Sequence, residues 1–290
     1  MLVALIGGGA YLKLNGGASN AANDTRPVTH GATPSAPPTV SPPARAAGPP
    51  ADPFAGSPAD HYGDGAAGIT IPAAVAHGPY SAAEVRAAYA SVRKLLIASN
   101  LDPATLKGGS PTALANLLTS AQRAYFVQRL DRTGLDSDGY QRSTRGWVAS
   151  FAPGSTKLIG SVIKVHGTMS AGIGQVNGHE VLRIHLDYIF VYPVEPPGLP
   201  ADWMRIVDRN YGNVEFATWD DPGGALEAFL IQWNEGGTAG ARCDVNDGFI
   251  HPQFPNGPAS KVKPSGTPVN PYSQSAPPAN DNACHPTTGT

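Results

Sequence analysis

Two histidines, an arginine and an aspartate are the residues of this sequence best suited to chemistry. Arg183, His185 and Asp187 alternate along an apolar run, so they would share one face of a β-strand. His166 lies in the preceding β-rich run, and any hairpin register that keeps the apolar faces together places it among them. Two imidazoles and a carboxylate could bind a first-row metal or act as a general acid–base pair near neutral pH.

The same residues also fit a solvated polar face whose side chains make ordinary cross-strand pairs. We take this second interpretation as the expectation, and we assign no metal and no cofactor to the chain. A catalytic role of His185, Asp187, Arg183 and His166 is therefore a hypothesis that the position of this face must decide.

Two other motifs fail on closer inspection. The run Asp136-Ser-Asp138-Gly139 resembles part of a calcium loop, but the first and last ligand positions fall on Gly134 and Arg145. The glycines of 172–178 resemble a phosphate-binding loop, but their spacing is wrong and a strand rather than a helix follows. The sequence also lacks the common hydrolase signatures Gly-x-Ser-x-Gly and His-Glu-x-x-His. The sequence names no reaction.

The candidate residues lie in a part of the chain with strand periodicity. Apolar residues alternate in 157–170 and 180–194, and a glycine-rich loop ending in Asn177-Gly178 joins the two runs, which predicts a hairpin. Further strands are predicted at 145–151, 203–209, 214–219 and 226–233.

Two amphipathic helices are predicted before these strands. Ser81 with Glu84 three positions later is a capping-box signature, and apolar residues then recur at helical spacing over 82–99. Pro111 suits the start of a second helix, whose apolar stripe extends to about Leu130.

Helices followed by antiparallel strands predict an α+β fold, with two N-terminal helices packed on a bent antiparallel sheet in a domain over 80–254. The order of elements over about 80–235 resembles the nuclear transport factor 2-like cone, in which N-terminal helices lie in a strongly bent sheet. This resemblance is one of topology and has no diagnostic motif. It implies a sheet-lined pocket.

The flanks of this domain differ from it in composition. Of the 29 prolines, twelve lie in 15–79 and eight in 255–290, and both flanks hold few large apolar residues. Such segments cannot bury enough surface to offset chain entropy. We therefore expect a disordered spacer over 15–79 and a disordered tail over 255–290.

The apolar start of the chain, 1–14, is shorter than a membrane span and lacks a basic region before it. We interpret it as part of an anchor or signal segment whose start lies upstream. The alternative is an ordinary disordered N-terminus that happens to be apolar.

The charge of the chain limits the classes of partner that are expected, and its cysteine content bears on the cellular compartment. The 290 residues carry 20 Lys and Arg against 22 Asp and Glu, without a basic run, so nucleic acid is not an expected partner. Cys243 and Cys284 are the two cysteines, and an even number in an exported chain permits one disulfide, which would fasten the tail to the domain. Two unrelated thiols are the alternative.

The segments His185-Leu-Asp-Tyr-Ile-Phe-Val-Tyr-Pro-Val194 and Cys243-Asp-Val-Asn-Asp-Gly-Phe-Ile-His-Pro-Gln-Phe254 resemble a group of secreted or membrane-anchored proteins from high-GC actinobacteria. This resemblance implies a cell-envelope location and no reaction. We predict a non-catalytic extracytoplasmic domain, membrane-anchored or secreted, that binds an envelope protein or a small apolar ligand. The alternative is a cone-fold enzyme that uses His185 and Asp187 in a sheet-lined pocket.

Overall fold

The computed structural model describes residues 48–137, 142–218, 226–233, 236–278 and 283–288. The predicted anchor 1–14 and most of the predicted spacer lie outside these residues, as does Asp138. Within the described ranges, no helix combines the length and the apolar character that a membrane span needs.

The α-helices of the described part are α1 Ala82–Asn100, α2 Pro103–Leu106, α3 Thr112–Ala115 and α4 Ser120–Arg129. Helix α1 begins as predicted, because the Ser81 hydroxyl accepts from the Glu84 N–H and the Glu84 carboxylate accepts from the Ser81 N–H. The prediction of one continuous second helix up to Leu130 is wrong. Thr119 caps a separate helix through the same reciprocal arrangement with Gln122.

The strands are β1 Gly63–Asp64, β2 Lys157–Leu158, β3 Lys164–Val176, β4 His179–Glu195, β5 Met204–Ala217, β6 Glu227–Gln232 and β7 Thr238–Ala239. They form one antiparallel sheet in the order β1-β3-β4-β5-β6, with β2 beside the end of β4 and β7 beside β5. Short 3₁₀ helices lie at Pro58–His61, Gly65–Gly68, Thr144–Trp147 and Pro200–Asp202. A sheet with helices segregated from it confirms the α+β class.

The predicted hairpin is present, and it is longer than expected. Strands β3 and β4 pair without interruption from Lys164 to Val176. Asn177 and Gly178 both have positive φ, 52° and 80°, as a two-residue type I′ turn requires. The glycine-rich stretch before this turn is therefore part of β3 and not a loop.

Strand β5 is continuous where two strands were expected. A Cβ at Gly212, in the middle of the strand, would overlap the carbonyl oxygen of Gln232 in β6. Glycine is needed there for the close approach of β6 and does not end the strand. The prediction of separate strands at 203–209 and 214–219 is wrong, whereas β6 confirms the strand predicted at 226–233.

Residues 145–151 do not form the predicted strand. The Ser143 hydroxyl accepts a hydrogen bond from the Arg145 N–H at 3.1 Å and starts a 3₁₀ turn that ends at Trp147. Phe151 makes an isolated β-bridge to Ile250. A local polar cap overrides the apolar pattern at this point.

The sheet has two faces, which we call the inner face and the outer face. Even-numbered residues of β4, such as Leu186 and Tyr192, point to the inner face and belong to the main core with α1. Odd-numbered residues point to the outer face, away from α1, where Ile189 and Val191 belong to a second, smaller core. The chemistry-bearing residues of β4 are odd-numbered, so they lie on the outer face.

Parts of both flanks are folded onto the outer face. Phe54 and Tyr272 are buried there in the second core. The expected disordered spacer is therefore wrong for 48–79, and the expected disordered tail is wrong for the described part of 255–290. A few aromatic anchors among the prolines supply apolar surface that the average composition hides.

The predicted disulfide between Cys243 and Cys284 is confirmed, with the two Cα atoms 5.8 Å apart. It joins the C-terminal flank to Cys243, eleven residues before Phe254, which is buried in the main core. Such a bond is typical of proteins that fold in an oxidising compartment.

Candidate functional site

Arg183 and His185 lie on the outer face, as their alternation predicts, and each contacts β5 instead of its neighbour on β4. The Arg183 Nε donates to Glu215 Oε1 at 2.6 Å. The His185 Nδ1 lies 3.1 Å from Asn213 Oδ1. These two contacts and the ion pair between Asp187 and Arg209 form a row of cross-strand pairs that we call the polar ladder. The favoured expectation of ordinary cross-strand pairs describes this arrangement.

Asp187 is engaged by an arginine and not by a histidine. The Arg209 Nε and Nη2 donate to its two carboxylate oxygens at 2.8 and 2.7 Å, which is a bidentate ion pair. His185 has the ring of Tyr211 edge-on to it, with centroids 5.0 Å apart. His185 and Asp187 therefore do not pair with each other for acid–base chemistry, and this face is turned away from the helices. The enzyme hypothesis needs both features, so the structure gives it no support.

His166 lies at the other end of the outer face. Its partner on β4 is Ile189, four residues beyond His185, which is a distance of about 13 Å at the rise of a strand. Its ring stacks on that of Tyr62 with centroids 4.7 Å apart. His166 shares the outer face with Asp187, as predicted, and the register places it two residues along β3 from Thr168, the partner of Asp187. The same register sets it apart from His185 and Arg183, and its ring packs on Tyr62 instead. In the described ranges, no three His, Cys, Asp or Glu side chains are grouped so that they could hold a metal ion.

Glu215 is a buried carboxylate that the sequence analysis missed. Only 1% of the residue is exposed. Burial raises the pKa of its carboxyl group above the ordinary value, although Arg183 beside it acts in the opposite direction. Its Oε2 has no hydrogen-bond partner among the described residues. Glu215 holds Arg183 against the sheet, where 38% of the arginine side chain stays exposed.

Two arginines of β5, Arg205 and Arg209, bind the main chain of the folded flanks. The acceptors are the carbonyl oxygens of Pro53 and Ala55 for Arg205 and of Ser273 and Ala276 for Arg209, at 2.6 to 3.2 Å. The forked guanidinium group suits this role, because it presents several donors in one plane. Their spacing of four residues within the predicted strand 203–209 is a sequence signal for a shared face. That this face binds the two flanks depends on contacts between residues far apart in the sequence.

The end of the outer face nearest the β3–β4 turn is accessible. We call this region the open half; it consists of Thr168, Ser170, Arg183, His185, Tyr211 and Asn213. Thr168 and Ser170 are exposed, and the others are half-buried. Because the polar ladder holds Arg183 and His185 in place, these side chains have little freedom to lose on binding.

A second polar cluster is buried on the inner face, between β5 and the end of α1. The Asp208 carboxylate accepts from the Thr238 hydroxyl at 2.6 Å and from Asn210 Nδ2 at 3.1 Å. The Asn210 Oδ1 accepts from Asn100 Nδ2 at 2.8 Å. Burial raises the pKa of Asp208 to about 6. In the sequence, the polar residues at 208 and 210 interrupt an otherwise apolar alternation, and this was the signal for a buried polar cluster. The hydrogen-bond network that they form connects α1 to the sheet.

An apolar groove of about 400 Å³ lies beside the end of α1, and its lining includes Ile97, Leu101, Pro103, Ala113 and Leu117. Lys94 and Asp102 contribute its charged groups. The inner face of the sheet is filled by core side chains such as Phe190.

Comparison with protein-family models, with curated proteins and with solved structures finds no match to this chain. The topological resemblance to the nuclear transport factor 2-like cone stays a prediction. What the chain does must be inferred from its own residues.

Proposed function

We propose that this chain is an extracytoplasmic cell-envelope domain that binds a protein partner through the open half of its outer face. One observation carries the proposal: the outer face already binds two stretches of its own chain, through Arg205 and Arg209. The same face continues into the open half without a change of strand. A surface that binds polypeptide backbone within one chain has the chemistry to bind it from another.

The open half carries residue types that are frequent at protein interfaces. Tyr211 and Arg183 belong to the types enriched at binding hot spots. The charges beneath and beside them are balanced, since Arg183 pairs with Glu215 and Arg209 with Asp187. This balance favours a partner surface without a strong net charge.

The compartment is part of the proposal. The Cys243–Cys284 disulfide supports an oxidising, extracytoplasmic environment. We further propose that 1–14 belongs to an anchor or export segment and that the proline-rich residues after it set the distance of the domain from the membrane. A cell-envelope location is also what the predicted resemblance of 185–194 and 243–254 to secreted or membrane-anchored proteins implies.

Affinity capture from the envelope fraction of the native host tests the binding face. The immobilised full chain should retain a specific envelope protein, and the double variant His185→Ala/Tyr211→Ala should lose about tenfold or more of that recovery. Val127→Ala, an exposed position on α4, is the matched control and should behave like the wild type. Equal recovery by all three proteins contradicts the proposed binding face. The proposed location is contradicted if the full-length protein is found in the soluble cytoplasmic fraction of its host with both cysteines as free thiols.

A small apolar ligand is a second candidate, and the groove beside α1 is the observation that favours it. A fluorescent fatty acid is a suitable probe. Leu117→Arg should abolish its binding, because it places a charge in the apolar lining, whereas Val127→Arg, outside the groove, should not. Equal binding by both variants contradicts this candidate.

A further inference from the structure

Strand β3 is an edge strand over most of its length. Strand β1 pairs with it only at Lys164 and Val165. On the opposite side, β3 pairs with β4 at every residue through Val176. Among the described residues, no strand therefore pairs with the outward side of 166–176.

The main-chain groups on this outward side belong to odd-numbered residues. The Gly65 N–H donates to the Ile163 carbonyl at 2.7 Å, and Gly63 lies opposite Val165. The N–H and C=O of one residue point to the same side of an antiparallel strand, so residues at every second position share this direction. They are Gly167, Met169, Ala171, Ile173 and Gln175.

Within the described ranges, one of these groups has a hydrogen-bond partner. The Ala171 N–H donates to the Tyr89 hydroxyl at 2.8 Å. The flank that forms β1 does not extend the pairing in either direction, although Gly78, further along it, lies against the Ile173 side chain. Before β1, Tyr62 lies over His166 on the outer face. After β1, Arg93 of α1 donates hydrogen bonds to the carbonyl oxygens of Ala66 and Ile69.

The sequence and the pairing of this edge lack two features that often protect an exposed strand. Between Val165 and Val176 the sequence has no proline and no charged residue. The pairing of β3 with β4 has no bulge in this stretch. Natural edge strands are commonly blunted by such residues or bulges. The exposed side chain of Ile173, 37% accessible, adds an apolar contact point.

We propose that the partner of this domain binds by strand addition, with an extended segment of the partner polypeptide pairing with the main chain of β3 between Gly167 and Gln175. Strand β1 is the precedent, because it adds to the same edge within the chain, and the new strand would continue its line. The inference rests on the proposed function, since the added strand lies beside Thr168 and Ser170 of the open half.

The geometry specifies the chemistry of that segment. Its side chains alternate between the two faces of the sheet. On the inner side they lie beside Ile173, which favours apolar residues, and on the outer side beside Thr168 and Ser170, which favours polar ones. The partner segment is therefore an alternating apolar and polar stretch without proline.

Peptides selected from a random library on the oxidised full chain serve as the probe. Ile173→Pro removes one outward N–H and leaves the ladder to β4 intact, so the selected peptides should bind it about tenfold more weakly. Ile173→Val keeps the N–H, is the matched control and should bind like the wild type. Hydrogen exchange at Gly167, Ile173 and Gln175 should be fast in the chain alone and slow with peptide bound. A thermal melt confirms that both variants are folded.

Equal binding to Ile173→Pro and the wild type, protection of other amides only, or the absence of any binding peptide overturns the inference. Slow exchange of these amides in the dilute chain alone also overturns it, because the edge is then already covered. Protection that rises with protein concentration and without peptide identifies a second copy of this chain as the occupant. That result overturns the assignment to a partner. The proposed function is tested by a different measurement, the recovery of the envelope protein by His185→Ala/Tyr211→Ala. This double variant leaves the β3 main chain unchanged, so the two proposals can fail separately.

Discussion

Asp187 and Arg209 form a bidentate ion pair that also seats the C-terminal flank on the sheet. The same guanidinium donates to the carbonyl oxygens of Ser273 and Ala276 at 3.2 and 3.0 Å. The Asp187 carbonyl in turn accepts from Gln274 Nε2 at 2.9 Å. The pair therefore couples the pairing of β4 with β5 to the position of the flank.

Replacing Arg209 with Met should destabilise both. The change leaves the Asp187 carboxylate largely buried without its counter-charge, and two carbonyl groups lose their donor. We expect a loss of about 2–4 kcal/mol in the free energy of unfolding, measured with urea. Limited proteolysis should show new cleavage within 270–278.

Arg205→Met is the matched control, because Arg205 holds the other flank from the same face of β5. It should open the chain near Pro53 and leave 270–278 protected. Identical cleavage patterns in the two variants would show that the arginines do not hold separate flanks.

Reduction of the Cys243–Cys284 disulfide should lower the melting temperature. The bond closes a loop with a sequence separation of 41, for which the chain-entropy estimate is about 4 kcal/mol. This corresponds to a drop of roughly 10 °C for a domain of this size. The control is Cys243→Ala/Cys284→Ala, which should melt at the lower temperature with or without reductant. A wild-type melt that does not move after verified reduction contradicts the prediction.

The buried Asp208 should make stability fall as the pH rises through 6. Its folded-state pKa of about 6 lies above the ordinary value of 3.8, so the folded state retains a proton that the unfolded state releases. The free energy of unfolding should therefore increase as the pH is lowered from 7 toward 4. Burial of Glu215 acts with the same sign.

Asp208→Asn isolates this contribution. The introduced amide can accept from Asn210 and donate to the Thr238 hydroxyl, so the network keeps its hydrogen bonds. Stability at pH 7.5 should stay the same or rise by about 1–3 kcal/mol, and its slope between pH 4 and 7 should flatten. An unchanged slope in urea unfolding at several pH values would falsify the assignment to Asp208.

Tyr89→Phe should change one amide of the β3 edge. The variant removes the acceptor of the Ala171 N–H and keeps the buried ring. We expect a modest loss of stability, about 1 kcal/mol, and faster hydrogen exchange at Ala171. Exchange at Leu186 is the internal reference, because this residue of β4 lies between β3 and β5 inside the sheet. Unchanged exchange at Ala171 would show that another group covers this part of the edge.

Features set by neighbours in sequence could be predicted. The Ser81–Glu84 capping box and the Asn177-Gly178 turn need only the local chain, and both are present. The shared face of Arg183, His185 and Asp187 follows from alternation alone. These local rules are enough for the hairpin and for the orientation of the site.

Features set by distant contacts could not be predicted. Gly212 lies in the run Asn210-Tyr211-Gly212-Asn213, whose composition is typical of a turn. A glycine inside a strand is explained there only by the close approach of β6, which the sequence does not reveal. The partner of Asp187 depends on the register between β4 and β5, which the sequence leaves open. The folded flanks depend on single anchors such as Tyr272, whose contribution disappears in an average over many prolines.

Photocrosslinking in the native host tests the outer face most directly. A photoreactive amino acid at Ser170 lies in the open half, and the same group at Gln128 lies on the exposed side of α4. We expect an adduct with an envelope protein from position 170, reduced by the additional change Tyr211→Ala, and no such adduct from position 128. The same adducts from both positions, or none from position 170, would contradict the proposed binding face.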